Sequence, residues 1–157
     1  MTRSRSQLFS FLVAVAAMLA FQAAMAADTP PLPTQITMTD QQAGTGRDLR
    51  GGMFVVLHYK GWVYDPAAPD NKGVQFVDSH SHGEPLSYLY GYGRAVRGLE
   101  LGMRGMKAGG RRMIVVPPKL GYDGFKYPNP PEVPPGSALV FEVELIDVVP
   151  QGAPPDQ

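Results

Sequence analysis

Alternation of apolar and polar residues along much of the chain predicts β-strands. The clearest segment is 138–149, in which four apolar residues alternate with a second set that includes Glu142 and Glu144. Because successive side chains of a strand point to opposite faces of a sheet, the two glutamates are expected on the solvent face. The predicted core face carries Leu139, Phe141, Val143 and Leu145, and the predicted solvent face also carries Val140 and Ile146.

Clusters of β-branched and aromatic residues predict the remaining strands. The strongest cluster is Met53–Tyr64, which is followed by a loop with two prolines and an Asn-Lys-Gly turn. Further strands are predicted at 74–78, 86–90 and 111–116, and a weaker edge strand is predicted at 35–39. No strand–helix–strand alternation is present, so the sheet is expected to be antiparallel.

One short helix is predicted between residues 91 and 110. Val96, Leu99, Met103 and Met106 recur at the helical period. Gly98, Gly102 and Gly105 interrupt this pattern, each at a propensity cost of about 1 kcal/mol, so tertiary contacts must hold the helix. Gly98 is expected where the helix lies closest to the sheet. The fold class is therefore α+β: an antiparallel, curved sheet of five to six strands wrapped around one short α-helix.

The first 26 residues have the pattern of a signal peptide. Arg3 and Arg5 precede a long uncharged, apolar run, and Ala24-Met25-Ala26 resembles a cleavage site. The mature chain is then expected to begin at Ala27 and to be periplasmic or secreted. The alternative is an uncleaved anchor in the inner membrane, since the uncharged run is long enough to span a bilayer. The other predicted parts are a Pro-rich linker with the possible edge strand (27–43), a globular domain (44–149) and a polar tail (150–157).

Composition argues against several classes of function. Basic and acidic residues number 14 each, so no basic field favours nucleic-acid binding. No cysteine is present, and His58, His80 and His82 have no partners at familiar metal-ligand spacing, so neither a metal nor a cofactor is predicted. The Asp78-Ser79-His80 sequence is not interpreted as a catalytic triad, because neighbours on a strand face opposite sides.

Aromatic residues are the remaining candidates for a functional site. Three of them, Tyr122, Phe125 and Tyr127, lie in a Pro-rich irregular stretch at 117–135. A buried tyrosine needs a hydrogen-bond partner for its hydroxyl, so several converging tyrosines favour a pocket with polar groups at its edge.

Five motifs, in this order and spacing, resemble the FKBP-type peptidyl-prolyl cis-trans isomerases over roughly residues 44–149. They are VVLHYKGWVYD at 55–65, FVDSHSHGEPLSYLYG at 76–91, AVRGLELGMRGMKAGGRRMIVVPP at 95–118, GYDG at 121–124 and VPPGSALVFEVELIDV at 133–148. The resemblance implies an FKBP-like fold, consistent with the α+β prediction.

The resemblance also implies the walls of a proline pocket. Tyr59 forms one wall, and Asp78 corresponds to the polar wall residue of the family's Phe-Asp-Ser motif. Val77 then takes the place of that motif's Phe, although Phe76 can supply the ring through a β-bulge. Leu86 stands where the family commonly has Phe.

Further pocket positions are implied on the helix and the later strands. Val96 matches the residue whose backbone N–H binds ligands, and Tyr122 matches the tyrosine whose hydroxyl donates to a ligand carbonyl. Leu99 takes the floor position often held by Trp, which is expected to weaken the binding of bulky macrolide inhibitors. Phe141 closes the base. Val133, like Phe125 and Tyr127, maps onto the pocket only approximately because the loop is longer here; Trp62 is expected to be structural.

The implied activity is isomerisation of X–Pro bonds in exported, proline-containing polypeptides by a monomer. Rotation about such a bond is opposed by amide resonance and needs no nucleophile, metal or general acid. Asp78, Val96 and Tyr122 are expected to orient or polarise the substrate. The alternative is a binding module of the same fold, a chaperone that holds proline-containing or unfolded segments without catalysis.

Overall fold

A computed structural model describes residues 30–123 and 128–152. The predicted signal peptide, the loop aromatics Phe125 and Tyr127, and most of the predicted polar tail lie outside these ranges. The strands are β1 (Thr37–Gln42), β2 (Met53–Tyr64), β3 (Lys72–Asp78), β4 (Leu86–Leu89), β5 (Gly110–Val116) and β6 (Leu139–Pro150), and the helix is α1 (Arg97–Gly102). Short 3-10 helices occupy Pro69–Asn71, Ser79–His82 and Pro118–Leu120.

The six strands form one antiparallel sheet with the order β1-β5-β6-β2-β3. The long strand β2 pairs with β6 along one side. On its other side β2 pairs with β4 through Phe54–Leu57 and with β3 through Lys60–Tyr64. This confirms the predicted fold class. Within the described ranges, no helix is long and apolar enough to cross a bilayer.

Strand positions agree closely with the sequence pattern. The bounds of β2 match the prediction, β4 and β5 differ from it by one residue at one end, and β6 differs by one residue at each end. The predicted weak edge strand is confirmed as β1, which pairs only with β5 but is shifted toward its C-terminal side. β3 begins earlier than expected because Lys72 already pairs with Tyr64.

The alternation along β6 places its odd-numbered residues in the core as far as Leu145. A register shift opposite Val56 and Leu57 then follows, so the even-numbered Val148 is fully buried while Ile146 is exposed. The expectation of a solvent-exposed Val140 is wrong, since its side chain is 0% exposed. Its cross-strand neighbours on the outer face are Trp62 and Val115, which supply apolar cover there.

The helix α1 lies very close to the sheet, as the glycine pattern predicted. A Cβ atom on Gly98 would lie 2.9 Å from Val116 Cγ2 and 3.0 Å from the Leu120 carbonyl oxygen. A Cβ on Gly102 would lie 2.9 Å from Ile114 Cδ1. Because no side chain fits at either position, the helix backbone rests directly on β5 and the loop after it. The predicted core residues Leu99, Met103 and Met106 are all buried.

Arg112 on β5 fixes the C-terminal end of α1 to the sheet. Its guanidinium group donates hydrogen bonds to the Gly102 and Arg104 carbonyl oxygens at 2.9 and 2.8 Å, and to Asp40 Oδ1 on β1 at 2.6 Å. The hydrogen bond from Arg112 lowers the pKa of Asp40 below its ordinary value of 3.8. Arg112 therefore satisfies one carbonyl of the last helical turn and one just beyond it, which have no partner within the helix.

Replacement of Arg112 by Met is expected to destabilise the fold by about 2 to 4 kcal/mol, because two carbonyl groups and a carboxylate lose their partner. The measurement is chemical denaturation. Because folding lowers the pKa of Asp40, the contribution of this pair is complete above pH 3.8 and is lost as the pH falls through the lowered value.

The matched control is Arg111→Met, which removes an exposed arginine that pairs with Glu144 at 2.8 Å. This change is expected to cost less than about 1 kcal/mol. Equal losses in the two variants would show that Arg112 does not hold the helix in place.

Candidate functional site

Three aromatic rings from different segments meet against the core. Phe76 on β3 contacts Phe141 on β6 and Tyr122, with ring centroids 5.9 and 6.0 Å apart, and both contacts are edge-to-face. Phe141 is fully buried, whereas Phe76 and Tyr122 are half-buried. Edge-to-face packing is the favoured arrangement for aromatic pairs, so the three rings form a defined and partly exposed aromatic surface.

A β-bulge brings Phe76 into this cluster. Gly61 on β2 pairs with Val77, but the next residue, Trp62, pairs with Gln75, so Phe76 is the extra residue. Both side chains pack over Gly61, where an added Cβ would lie 2.7 Å from Phe76 Cζ and from Val77 Cγ1. Of the two alternatives for the aromatic wall, Phe76 supplies the ring, and Val77 lies beside it as an apolar neighbour.

The importance of Gly61 did not emerge from the sequence pattern. A glycine inside an otherwise strong strand signal often marks a bulge or a close backbone approach. That signal was available within Met53–Tyr64, and the structure identifies Gly61 as the residue that leaves room for both walls.

Asp78 does not lie with the aromatic rings. It pairs in register with Lys60, whose other neighbour on the sheet is Glu142, so it belongs to the outer face. Its carboxylate lies 3.4 Å from Lys60 Nζ and 3.5 Å from His80 Nδ1, and it accepts a hydrogen bond from the His80 N–H. The role of Asp78 as the polar wall stays a prediction, and in the pairing register Val77 takes the inward position after the bulge.

The segment after Asp78 is a 3-10 helix, so the strand argument against a triad used the wrong local structure. The conclusion stands for a different reason. Ser79 Oγ accepts a hydrogen bond from the Tyr59 N–H and lies 3.0 Å from His58 Nδ1, while Asp78 faces His80. The His58 and His80 rings stack with centroids 4.0 Å apart. These side chains form a structural cluster rather than a Ser-His-Asp relay.

The start of α1 lies beneath the rings. Val96 and Leu99 are 4% and 3% exposed and belong to the same apolar cluster as Phe141. The Val96 carbonyl accepts the first hydrogen bonds of the helix, from the N–H groups of Leu99 and Glu100. Among the backbone hydrogen bonds of the described residues, none is donated by the Val96 N–H. This donor is thus available to a ligand carbonyl.

Two tyrosines add hydroxyl groups to the apolar surroundings. Burial, followed by the neighbouring Tyr59, raises the pKa of Tyr122 to about 12. Burial likewise raises the pKa of Tyr59. Both hydroxyls therefore remain protonated near neutral pH, and the Tyr122 hydroxyl can serve as a hydrogen-bond donor.

The predicted site residues differ in burial and position. Tyr59, Phe76, Val96, Leu99, Tyr122, Val133 and Phe141 all belong to the core cluster or pack against it. Asp78 lies on the outer face, and Leu86 lies on the short strand β4 with 36% of its surface exposed. No group of three or more potential metal ligands occurs in the described part of the chain.

Comparison with known proteins shows the family of the chain. The sequence model of the FKBP-type peptidyl-prolyl cis-trans isomerases matches residues 46–146. The chain belongs to this family. The matched range lies within the domain predicted at 44–149.

Several relatives cover most of the domain. The chain is 32% identical over 113 residues to the FK506-binding protein of Neisseria meningitidis serogroup B, covering 72% of this chain and 95% of the relative. It is 36% identical over 110 residues to the 39 kDa FK506-binding nuclear protein of Drosophila melanogaster, covering 70% of this chain and 28% of that protein.

Solved structures also share the fold. FkpA from Escherichia coli superposes with a TM-score of 0.60 at 29% identity, covering 95% of this chain and 75% of that chain. The N-terminal domain of FKBP42 from Arabidopsis thaliana gives a TM-score of 0.61 at 25% identity, covering 79% of this chain and 94% of that chain.

Replacement of Gly61 by Ala is expected to displace Phe76 and Val77, because the new methyl group would overlap both side chains. The expected loss of unfolding free energy is about 1 to 3 kcal/mol, as for other overpacked sites. Nuclear Overhauser effects between the Phe76 and Phe141 rings should weaken. Gly51→Ala is the control, since nothing lies within 4 Å of a Cβ there. Unchanged ring contacts in Gly61→Ala would contradict this role of the bulge.

Proposed function

We propose that the chain catalyses cis–trans isomerisation of X–Pro bonds in polypeptides at the aromatic cluster. The observation that carries the proposal is the edge-to-face packing of Phe76 with Tyr122 and Phe141 at the start of α1. A prolyl ring is a compact apolar group, and these rings together with Leu99 offer it an apolar enclosure.

The proposed mechanism uses no proton transfer. The planar amide is stabilised by charge-separated resonance, and the barrier to rotation is about 18 to 20 kcal/mol. Enclosure among apolar side chains disfavours that charge-separated form and favours the twisted amide. The Val96 N–H and the Tyr122 hydroxyl are proposed to bind carbonyl oxygens on either side of the proline.

The position of Asp78 sharpens this mechanism. Its carboxylate pairs with Lys60 on the outer face, and the inward neighbour of Phe76 is the apolar Val77. In the proposed site, the Asp78 carboxylate therefore does not lie beside the reacting amide. Catalysis is then expected to depend on enclosure and on two hydrogen-bond donors.

A non-catalytic binding module is the second candidate function. The apolar Val77 and the exposed, aliphatic Leu86 favour it, since both are smaller than the Phe that the resemblance places at these positions. A module of this kind would hold proline-containing or unfolded segments in the same cluster without accelerating rotation.

The purified chain is expected to accelerate cis-to-trans conversion of a short X–Pro peptide in proportion to its concentration. Tyr122→Phe should lower kcat/KM by roughly tenfold, since it removes one hydrogen-bond donor. Asp78→Asn should change kcat/KM by less than about twofold, because its carboxylate lies on the outer face. Chymotrypsin-coupled or NMR exchange assays measure these rates.

Two results would decide against catalysis at this site. A wild-type rate equal to the uncatalysed rate, together with suppression of aggregation of an unfolded protein, would favour the binding module. A larger loss in Asp78→Asn than in Tyr122→Phe would place the chemistry on the other face.

The relatives are named FK506-binding proteins. We propose that FK506 competes with the peptide at the cluster and slows the reaction, and that the small Leu99 floor limits its affinity.

We also propose that the protein acts outside the cytoplasm after removal of residues 1–26. This proposal is supported by the sequence of the segment, in which two arginines are followed by an apolar run and then by small residues. N-terminal sequencing of the protein recovered from cells is expected to begin at Ala27. Recovery of Met1 in the membrane fraction would instead make it an anchored protein.

A further inference from the structure

A second concave site lies beside α1, away from the aromatic cluster. This cavity has a volume of about 440 Å³ and lies between one face of α1 and the segments around Arg50 and Tyr90. Arg97, Leu101 and Arg104 line it, whereas the side chain of Leu99 lies about half a helical turn away, toward the rings. None of its lining residues belongs to the aromatic site, so the two sites can be occupied independently.

Three arginine side chains bring positive charge to the cavity. Arg50, Arg97 and Arg104 all line it and are exposed. Within the described residues, no carboxylate lies within ion-pair distance of Arg97 or Arg104, and Arg50 reaches Asp48 only at 3.9 Å. Since the whole chain is neutral, this concentration of guanidinium groups is local. Guanidinium groups bind carboxylates and phosphates through paired hydrogen bonds.

One acidic residue, Glu100, limits which anion fits. Glu100 also lines the cavity, and its Oε1 atom is buried without a hydrogen-bond partner among the described residues. The Glu100 carboxylate repels a compact, multiply charged anion more strongly than it repels an anion whose single charges are spread apart. The half-buried Leu101, and the largely buried Leu49 and Tyr90 at the cavity wall, give the cavity an apolar side that a small inorganic anion does not use.

We propose that this cavity binds an acidic segment of a polypeptide, with carboxylate side chains on Arg97 and Arg104 and the peptide backbone against Leu49, Tyr90 and Leu101. The site does not require a proline and does not depend on the isomerase proposal. In a protein that acts on polypeptides, it provides a second point of attachment on the same helix.

The probe is a proline-free peptide with blocked termini that contains two aspartates and one leucine. The control peptide carries asparagines in place of the two aspartates. Calorimetry with the full chain is expected to give binding of the acidic peptide at low salt, weakened by at least roughly tenfold in the amide peptide. Binding should also weaken as salt rises, since the arginines are exposed.

The Arg97→Gln/Arg104→Gln double variant is expected to lose at least roughly tenfold in affinity for the acidic peptide. Arg94→Gln is the matched control, because Arg94 is exposed in the loop before α1 but does not line the cavity, and it should stay within about twofold. Tyr122→Phe should bind the acidic peptide like the wild type, which separates this site from the aromatic cluster.

Three outcomes would overturn the proposal. The first is no binding of the acidic peptide at low salt. The second is equal weakening by Arg94→Gln, which would indicate non-specific attraction. The third is complete displacement of the peptide by inorganic phosphate at equal concentration, which would make the cavity a small-anion site instead.

Discussion

The close contact between α1 and the sheet determines where the functional groups lie. A helix of six residues does not persist by its own hydrogen bonds, so its position must come from packing. Gly98 and Gly102 allow the backbone to rest on Val116 and Ile114, and Arg112 holds the C-terminal end through the carbonyls of Gly102 and Arg104. This contact sets the depth of Leu99 beneath the rings and the direction of the Val96 N–H.

The bulge opposite Gly61 separates apolar from charged side chains at the end of β3. Phe76 and Val77 both turn inward over the glycine, and the following Asp78 turns outward to Lys60. The stacked His58 and His80 rings lie near this charged pair. The inner face is left with aromatic and aliphatic groups and a few donors, which suits a reaction that is controlled by desolvation rather than by proton transfer.

Most of the fold was predictable because each strand carries its own period-2 pattern and the helix carries a 3.6-residue pattern. Errors arose where the environment of a residue depends on its neighbours in other strands. Val140 follows the solvent-facing alternation, yet Trp62 and Val115 flank it across the sheet. The faces of Val77 and Asp78 likewise depend on the neighbouring strand, since one inserted residue in a bulge reverses the faces that follow it. The arginine-lined cavity combines residues some 50 positions apart, and no local pattern joins them.

The central claim is that ligands enter on the inner, aromatic side of β3 and not on its charged outer side. Titration of the ¹⁵N-labelled protein with a short X–Pro peptide, followed by amide chemical shifts, tests this directly. The account predicts the largest changes at Val96, Leu99 and Tyr122, with little change at Lys60 and His80. Changes concentrated at Lys60, Asp78 and His80 would contradict it.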